Sequence, residues 1–134
     1  RPDMERLADL AEARAHELAA DPDKIDKARG QFDRGGLAVV VISAPQDVPK
    51  VPRIEQILSA GALCLGLVNA ATAAGWGANW LTGWPAHDRE FTATAFGCAP
   101  HETVAGIIHI ATAVSDGSDR PRPDLDRLIT WADT

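Results

Sequence analysis

No Cys-x-x-Cys pair occurs in this sequence; its only cysteines are Cys64 and Cys98. Both stand among apolar neighbours, so buried reduced thiols are expected rather than a disulfide or a metal site. No basic run occurs either. With a formal net charge of −6 and a pI near 5.0, the chain lacks the cationic footprint that nucleic acid requires. An acidic surface suits a soluble cytoplasmic protein. Arg1-Pro2-Asp3-Met4 leads into an amphipathic stretch with no apolar h-region, so no signal peptide is expected. The glycine fingerprint of a dinucleotide-binding unit is missing, as are repeats and low-complexity tracts. His87, His101 and His109 lack metal-ligand spacing. His109 stands in a run of Ile and Ala and is expected to be a hydrogen-bonded core residue.

What is present is enough apolar material for a packed core: 46% of the 134 residues are hydrophobic and 24% charged, which argues against global disorder. The length suits one domain, 1–134. A domain of this size buries only about two-thirds of its unfolded surface, so a partner that covers more would help it.

Leu7, Leu10, Ala11, Arg14 and Leu18 recur at helical spacing, which predicts a helix over 3–20 with Asp3 as N-cap and Asp21-Pro22 as its end. A short helix over 22–31 follows, with Pro22 in its first turn, where a missing N–H costs little. After Gly35-Gly36 the β-branched run Leu37–Ile42 reads as a buried strand. Residues 44–52 hold three prolines and read as a loop. Further on, the sequence predicts a strand over 78–82, a turn at Gly83, a helix over 87–96 opened by Pro85 and Asp88 and closed by Gly97, and a strand over 104–111. Residues 115–123 are polar, and 124–132 form a short helix or extended tail. The order is that of an α+β fold.

From Gln56 to Ala86 there is no Asp, Glu, Lys or Arg. Residues 53–74 read as one long helix, apolar on nearly every face and hence expected to be buried on all sides, with Gly75 as a left-handed cap. A membrane span is the rival reading. Ser59, Asn69, Thr72, two internal glycines and a mean hydropathy of −0.11 weigh against it. Ala62, Gly66, Ala70 and Ala74 are four apart and stack on one ridge. Glycine inside a helix costs ~1 kcal/mol relative to alanine, so Gly61 and Gly66 call for a compensating close contact. That contact is a symmetric dimer interface or an internal helix.

The run Lys50-Val-Pro-Arg-Ile-Glu-Gln-Ile-Leu-Ser-Ala-Gly61 resembles a segment of the nitroreductase family, in its short single-domain branch. Ala70-Ala-Thr-Ala-Ala-Gly-Trp-Gly-Ala-Asn-Trp-Leu-Thr-Gly83, Ala95-Phe-Gly-Cys98 and Val104-Ala-Gly-Ile-Ile-His-Ile-Ala111 extend the resemblance, in order and at the family's spacing. It implies a nitroreductase-like α+β fold, with a mixed, mainly antiparallel sheet around a long buried central helix, in an intertwined homodimer. It also implies FMN at the subunit interface, reduced by NADH or NADPH, with reduced flavin passing electrons to a small-molecule acceptor such as a nitro compound or quinone. Trp80, Leu81, Thr82 and Gly83 match the family's strand end and turn beside the flavin. For Trp80, and more so Trp84, a core aromatic is the plainer alternative. Ala70, Ala71, Thr72, Ala73, Ala74 and Gly75 match a pyridine-nucleotide contact region, or are simply a helix end and its cap. Arg122 resembles a C-terminal arginine placed on the FMN phosphate, or is a solvated surface arginine. No acid–base residue is implied, because the chemistry belongs to the flavin.

The family's Arg-Arg-Ser-type motif, which holds the FMN phosphate and ribityl chain, does not occur here. A phosphate dianion needs several charge-assisted donors, each worth about 1.5–3 kcal/mol, so weak FMN binding is expected. Two hypotheses follow. One is a family oxidoreductase lacking its amino-terminal segment. The other is a flavin-free fragment that folds and dimerises through the central helix without catalysis.

Overall fold

The computed structural model describes residues 2–114 and 119–132. Helix α1 (Pro2–Glu17) and helix α2 (Pro22–Asp33) form a hairpin. Strand β1 (Leu37–Ser43) leads through the proline-rich loop into helix α3 (Arg53–Ala73). Strand β2 (Gly77–Leu81), a 3-10 turn (Trp84–Ala86), helix α4 (Arg89–Phe96) and strand β3 (Thr103–Ala111) complete the body. The tail is extended apart from a 3-10 turn at Leu125–Arg127. Of the polar segment 115–123, residues 115–118 lie outside the described residues, as do Arg1 and 133–134.

The sheet has the order β1-β3-β2, and both pairings are antiparallel. A mixed sheet was the expectation; among the described residues no parallel pair occurs. A bulge divides the β1–β3 ladder. Val41 pairs with Gly106 and Ile42 with Val104, leaving Ala105 as the extra residue.

Alternation along the strands supplies two cores. Val104 and Ile107 join the layer of α1, α2 and α4, with Met4, Leu7, Ala8, Ala11, Phe32 and Phe91. Val41 and Ile108 face α3 and meet Cys64, with Val39, Leu67 and Ile110 packed around them. In α1 the buried set Met4, Leu7, Ala8, Ala11, Ala15 keeps the 3–4 spacing. Two details differ from expectation. The helix begins at Pro2, so Asp3 sits in its first turn rather than capping it, where its charge still favours the helix dipole. It ends at Glu17, just before Ala19 with φ 51°, and Leu18 is left exposed.

For α4 the expected Asp88 start and Gly97 end hold, while Pro85 sits in the separate 3-10 turn before it. The Asp88 carboxylate accepts from Phe91 N at 2.7 Å and Gly97 closes the helix at φ 71°. Arg14 forks onto Asp88 from α1, at 3.0 and 3.1 Å. Burial would raise the Asp88 carboxyl, but the bonds from Arg14 and Phe91 outweigh it and hold it below its ordinary value.

The largest correction concerns α3. A charge-free helix was expected to be buried on every side, yet only Cys64 and Ala71 are buried along it. Ile54, Leu58, Leu63 and Leu65 are each more than half exposed. The physical reason is that a single chain covers α3 on one side only, with the sheet. No second layer lies on the other side among the described residues. By length and composition α3 could cross a membrane, but one face of it packs on the sheet. The ridge Ala62, Gly66, Ala70, Ala74 lies on the open side, and a Cβ added to Gly66 would meet nothing within 4 Å. The internal-helix explanation for that glycine is therefore not what this chain shows.

Candidate cofactor site

The β2–β3 ladder ends at Leu81, opposite Ile107. Beyond it Thr82 is half-buried and Gly83 exposed. Gly83 has φ 60° and ψ −170°, a region open in practice only to glycine. The turn is then anchored on its far side. Pro85 and Ala86 are buried, and Trp84 meets Phe91 edge-on with ring centroids 5.5 Å apart. Trp84 is thus the core aromatic that the sequence suggested as the alternative.

Trp80 anchors the near side. Its indole turns to the α3 side of the sheet and covers Gly106, where any side chain would collide with its Nε1 and Cδ1 and with Cys64 Sγ. Its opposite edge reaches Gly61 on α3, where an added Cβ would stand 4.0 Å from Cη2. The Nε1–H donates to the carbonyl of Ala105, the bulged residue, at 3.3 Å. Among the described residues of one chain, neither the helix crossing nor the internal helix expected for Gly61 is seen; its neighbour is a strand tryptophan, at a distance that leaves room for a Cβ. Cys64, beside the indole, is buried and its thiol is raised by desolvation; Cys98 is half-buried and its thiol is raised by burial and then by Glu102. Both are free, as expected.

The second group of residues closes α3. Gly75 takes φ 84°, and the amides of Gly75 and Trp76 donate to Thr72 and Ala71 carbonyls, both at 3.0 Å. Ala71 is buried, while Ala70, Thr72, Ala73 and Ala74 are exposed. A cavity of ≈ 750 Å³ lies here, with Arg34, Thr72, Trp76, Asn79 and His109 in its wall. An apolar neighbour of ≈ 660 Å³ is lined by Leu37, Leu67, Ala70, Ala71, Trp76 and Ile110. The sequence pointed to Ala70–Gly75, of which only Ala70, Ala71 and Thr72 line these walls; it missed Trp76 and Asn79 and read His109 as core. Trp76, directly after the capping Gly75 in sequence, could have been found from that position; nothing local marks Asn79 or His109.

One chain does not gather the expected site residues. Ala70–Gly75 adjoins the start of β2 and Leu81–Gly83 its end, roughly 15 Å apart at ~3.4 Å per residue. Arg122 joins neither. It lies in the tail, pairs with Asp119 at 3.0 Å and is 80% exposed. Arg14, joined through Asp88 to the segment after Gly83, is committed to Asp88, Glu17 and Glu90. These partners hold it protonated, and it offers little to a phosphate. The open backbone of the Leu81–Gly83 turn could border a planar ring, whereas Arg14 and Arg122 are already paired with carboxylates.

His109 corrects a further expectation. It packs on Phe32, with ring centroids 6.0 Å apart, but its Nε2 is buried without a partner in the protein, as is Nε2 of Gln31. Desolvation lowers its pKa from the ordinary 6.5, so the folded chain favours the neutral ring. The unfolded chain takes up this proton more readily. Stability is therefore complete above pH 6.5 and declines as pH falls through the depressed value. His109→Leu is expected to flatten the stability profile just below pH 6.5, read as urea midpoints as pH falls from that value. An unchanged slope would contradict the assignment. Among the described residues no three His, Cys, Asp or Glu side chains group to hold a metal ion.

A profile described as "Nitroreductase family" matches residues 3–112. The chain belongs to the nitroreductase family. This family of oxidoreductases includes the "Putative NAD(P)H nitroreductase YdjA" of Escherichia coli K12, 32% identical over 128 residues, which span 95% of this chain and 69% of that protein. A Haemophilus influenzae protein of the same description without the gene name is 30% identical over 130 residues, covering 96% of this chain and 70% of its own. The nitroreductase-like family protein from Bacillus cereus superposes with a TM-score of 0.75 at 16% identity, covering 98% of this chain and 67% of that one. An Exiguobacterium sibiricum structure described as a "putative nitroreductase in complex with FMN" gives 0.51 at 17%, covering 96% and 57%. At such identities the two structures establish the nitroreductase-like α+β fold.

Proposed function

We propose that this nitroreductase-family chain acts as a cytoplasmic homodimer that uses FMN to carry electrons from NADH or NADPH to a nitro compound, quinone or similar acceptor. The observation that carries the reading is the 32% identity, across 95% of the chain, to a protein named for NAD(P)H nitroreductase activity. The geometry supports it at one place: an exposed glycine turn at the end of β2, whose backbone is open to a flat ligand. Bound FMN would supply the redox chemistry, accepting hydride from the nicotinamide and passing electrons on. The backbone of Leu81–Gly83 would hydrogen-bond the ring edge, and Gly83, lacking a Cβ, would let the ring come close. Donors aimed at the edge that gains negative charge on reduction would favour the reduced state. The open face of α3 would pack on its twin and exclude water from the ring. A symmetric pairing would also place Ala70–Gly75 and Arg122 of each subunit where a neighbour's turn can use them. That arrangement would answer the separation of these groups within one chain.

The test is anaerobic titration of the FMN-supplemented protein with NADH and with NADPH. Quenching of flavin fluorescence on mixing, followed by bleaching of the flavin band with at least one nucleotide, is expected. Quenching with no bleaching by either would remove the oxidoreductase reading. A protein that stays colourless and leaves FMN fluorescence untouched would favour the flavin-free dimer instead.

A further inference from the structure

Trp80 does more structural work than an ordinary core aromatic. It stands on β2 opposite Ile108, so Gly106 is its diagonal neighbour on β3. An aromatic ring over a diagonal glycine fills the space that the glycine leaves in the sheet. Here the fit is obligatory, since any Cβ on Gly106 would strike the indole. The hydrogen bond to Ala105 fixes the ring in its plane at the bulge, just where the β2–β3 ladder gives out. Gly61 of α3 closes the other edge. The indole therefore ties β2, the bulge of β3 and α3 together one residue before Leu81. The far side of the turn is tied independently by Trp84, Phe91 and the Asp88 cap. Between the two anchors only Leu81, Thr82 and Gly83 remain, and their backbone has little freedom to relax if either anchor moves.

We infer that Trp80, seated on Gly106 and against Gly61, is a positioning residue that sets how the Leu81–Gly83 backbone meets the flavin ring, and with it the affinity and redox potential of the bound flavin. This rests on the flavin reading above. Trp80 acts through the backbone that follows it, and a displacement of about 1 Å at such a contact is enough to be felt a hundredfold in a positioned reaction.

The experiment compares the unmodified protein with Gly106→Ala and Trp80→Phe. Lumiflavin, which carries no phosphate, reports the ring contact alone; FMN is used for potentiometry. Circular dichroism establishes folding. Gly106→Ala displaces the indole and is expected to weaken lumiflavin binding by about tenfold or more. Where the loss differs tenfold between oxidised and reduced flavin, the midpoint potential moves by about 30 mV. Trp80→Phe keeps a ring but loses the bond to Ala105 and is expected to shift both readings in the same direction, by less. If Gly106→Ala does not fold, Trp80→Phe decides. Folded variants with unchanged lumiflavin affinity and unchanged potential would overturn the positioning role and leave the flavin reading standing. Failure of the unmodified protein to bind either lumiflavin or FMN would overturn the flavin reading and the positioning role with it.

Discussion

Gly66→Glu is expected to leave the fold of one chain intact and to abolish its pairing. In a single chain Gly66 is exposed, and a Cβ added there meets no neighbour within 4 Å. Replacing a helical glycine also removes a penalty: alanine in its place would gain about 0.8–1.0 kcal/mol. If the open face of α3 is buried against a second copy, the substitution puts two carboxylates into an apolar contact that holds no cation. An unpaired buried charge costs at least about 3 kcal/mol. Two of them raise the dissociation constant about 10⁴-fold. Light scattering should then report 14.2 kDa at concentrations where the unmodified chain is paired, with the helical circular dichroism retained. A Gly66→Glu protein that still pairs as tightly would place this ridge outside the interface.

The second large effect is on stability. Phe32→Ala is expected to cost about 3–5 kcal/mol. Its ring is fully buried, 6.0 Å from Phe91, 6.5 Å from Phe96 and 6.0 Å from His109. These rings come from α2, α4 and β3, so the cavity would open where the helical layer meets the sheet, and little can collapse into it. Against a total of about 5–15 kcal/mol for a typical domain, such a loss brings the chain near its unfolding threshold. Urea denaturation would measure it. A loss below about 1.5 kcal/mol, the range of volume-conserving swaps, would mean that the layer repacks and that Phe32 is not its centre.

Phe32 also illustrates how far the sequence could be read. The second helix was expected to stop at residue 31, one position before its most buried side chain. α2 is mostly polar, and its apolar row of Ile25, Ala28 and Phe32 is too sparse to mark where the helix ends. Where the signal was periodic or conformational, the reading succeeded. The β-branched runs became β1 and β3, Gly75 and Gly97 took positive φ, and Asp88 caps α4. But β1 is not the buried strand expected: of residues 37–42 only Val41 is buried, because α3 and the helical layer each cover it in part. Family membership was legible from four segments in order, and so was the fold. The Arg14–Asp88 fork joins residues 74 apart, and the seat of Trp80 depends on strand register and one bulge. Neither has a local signature. The burial of α3 was misjudged for a related reason. A charge-free pattern says that a surface avoids water, but not whether the same chain or another covers it.

The site was legible only by resemblance. The sequence could name two short segments, at the turn and at the helix end. It could not show that they flank opposite ends of β2, or that Arg122 lies apart from both in an extended tail. A cavity is made by tertiary placement, so Trp76, Asn79 and His109, which no motif joins, enter the same wall only after folding.

Everything proposed for the flavin and the nucleotide depends on what covers the open face of α3. Sedimentation equilibrium of the unmodified chain, over micromolar to submillimolar concentrations, addresses this without flavin or substrate. The account requires a species of twice 14.2 kDa that becomes dominant as concentration rises. A single species at 14.2 kDa throughout, still fully folded, would contradict it.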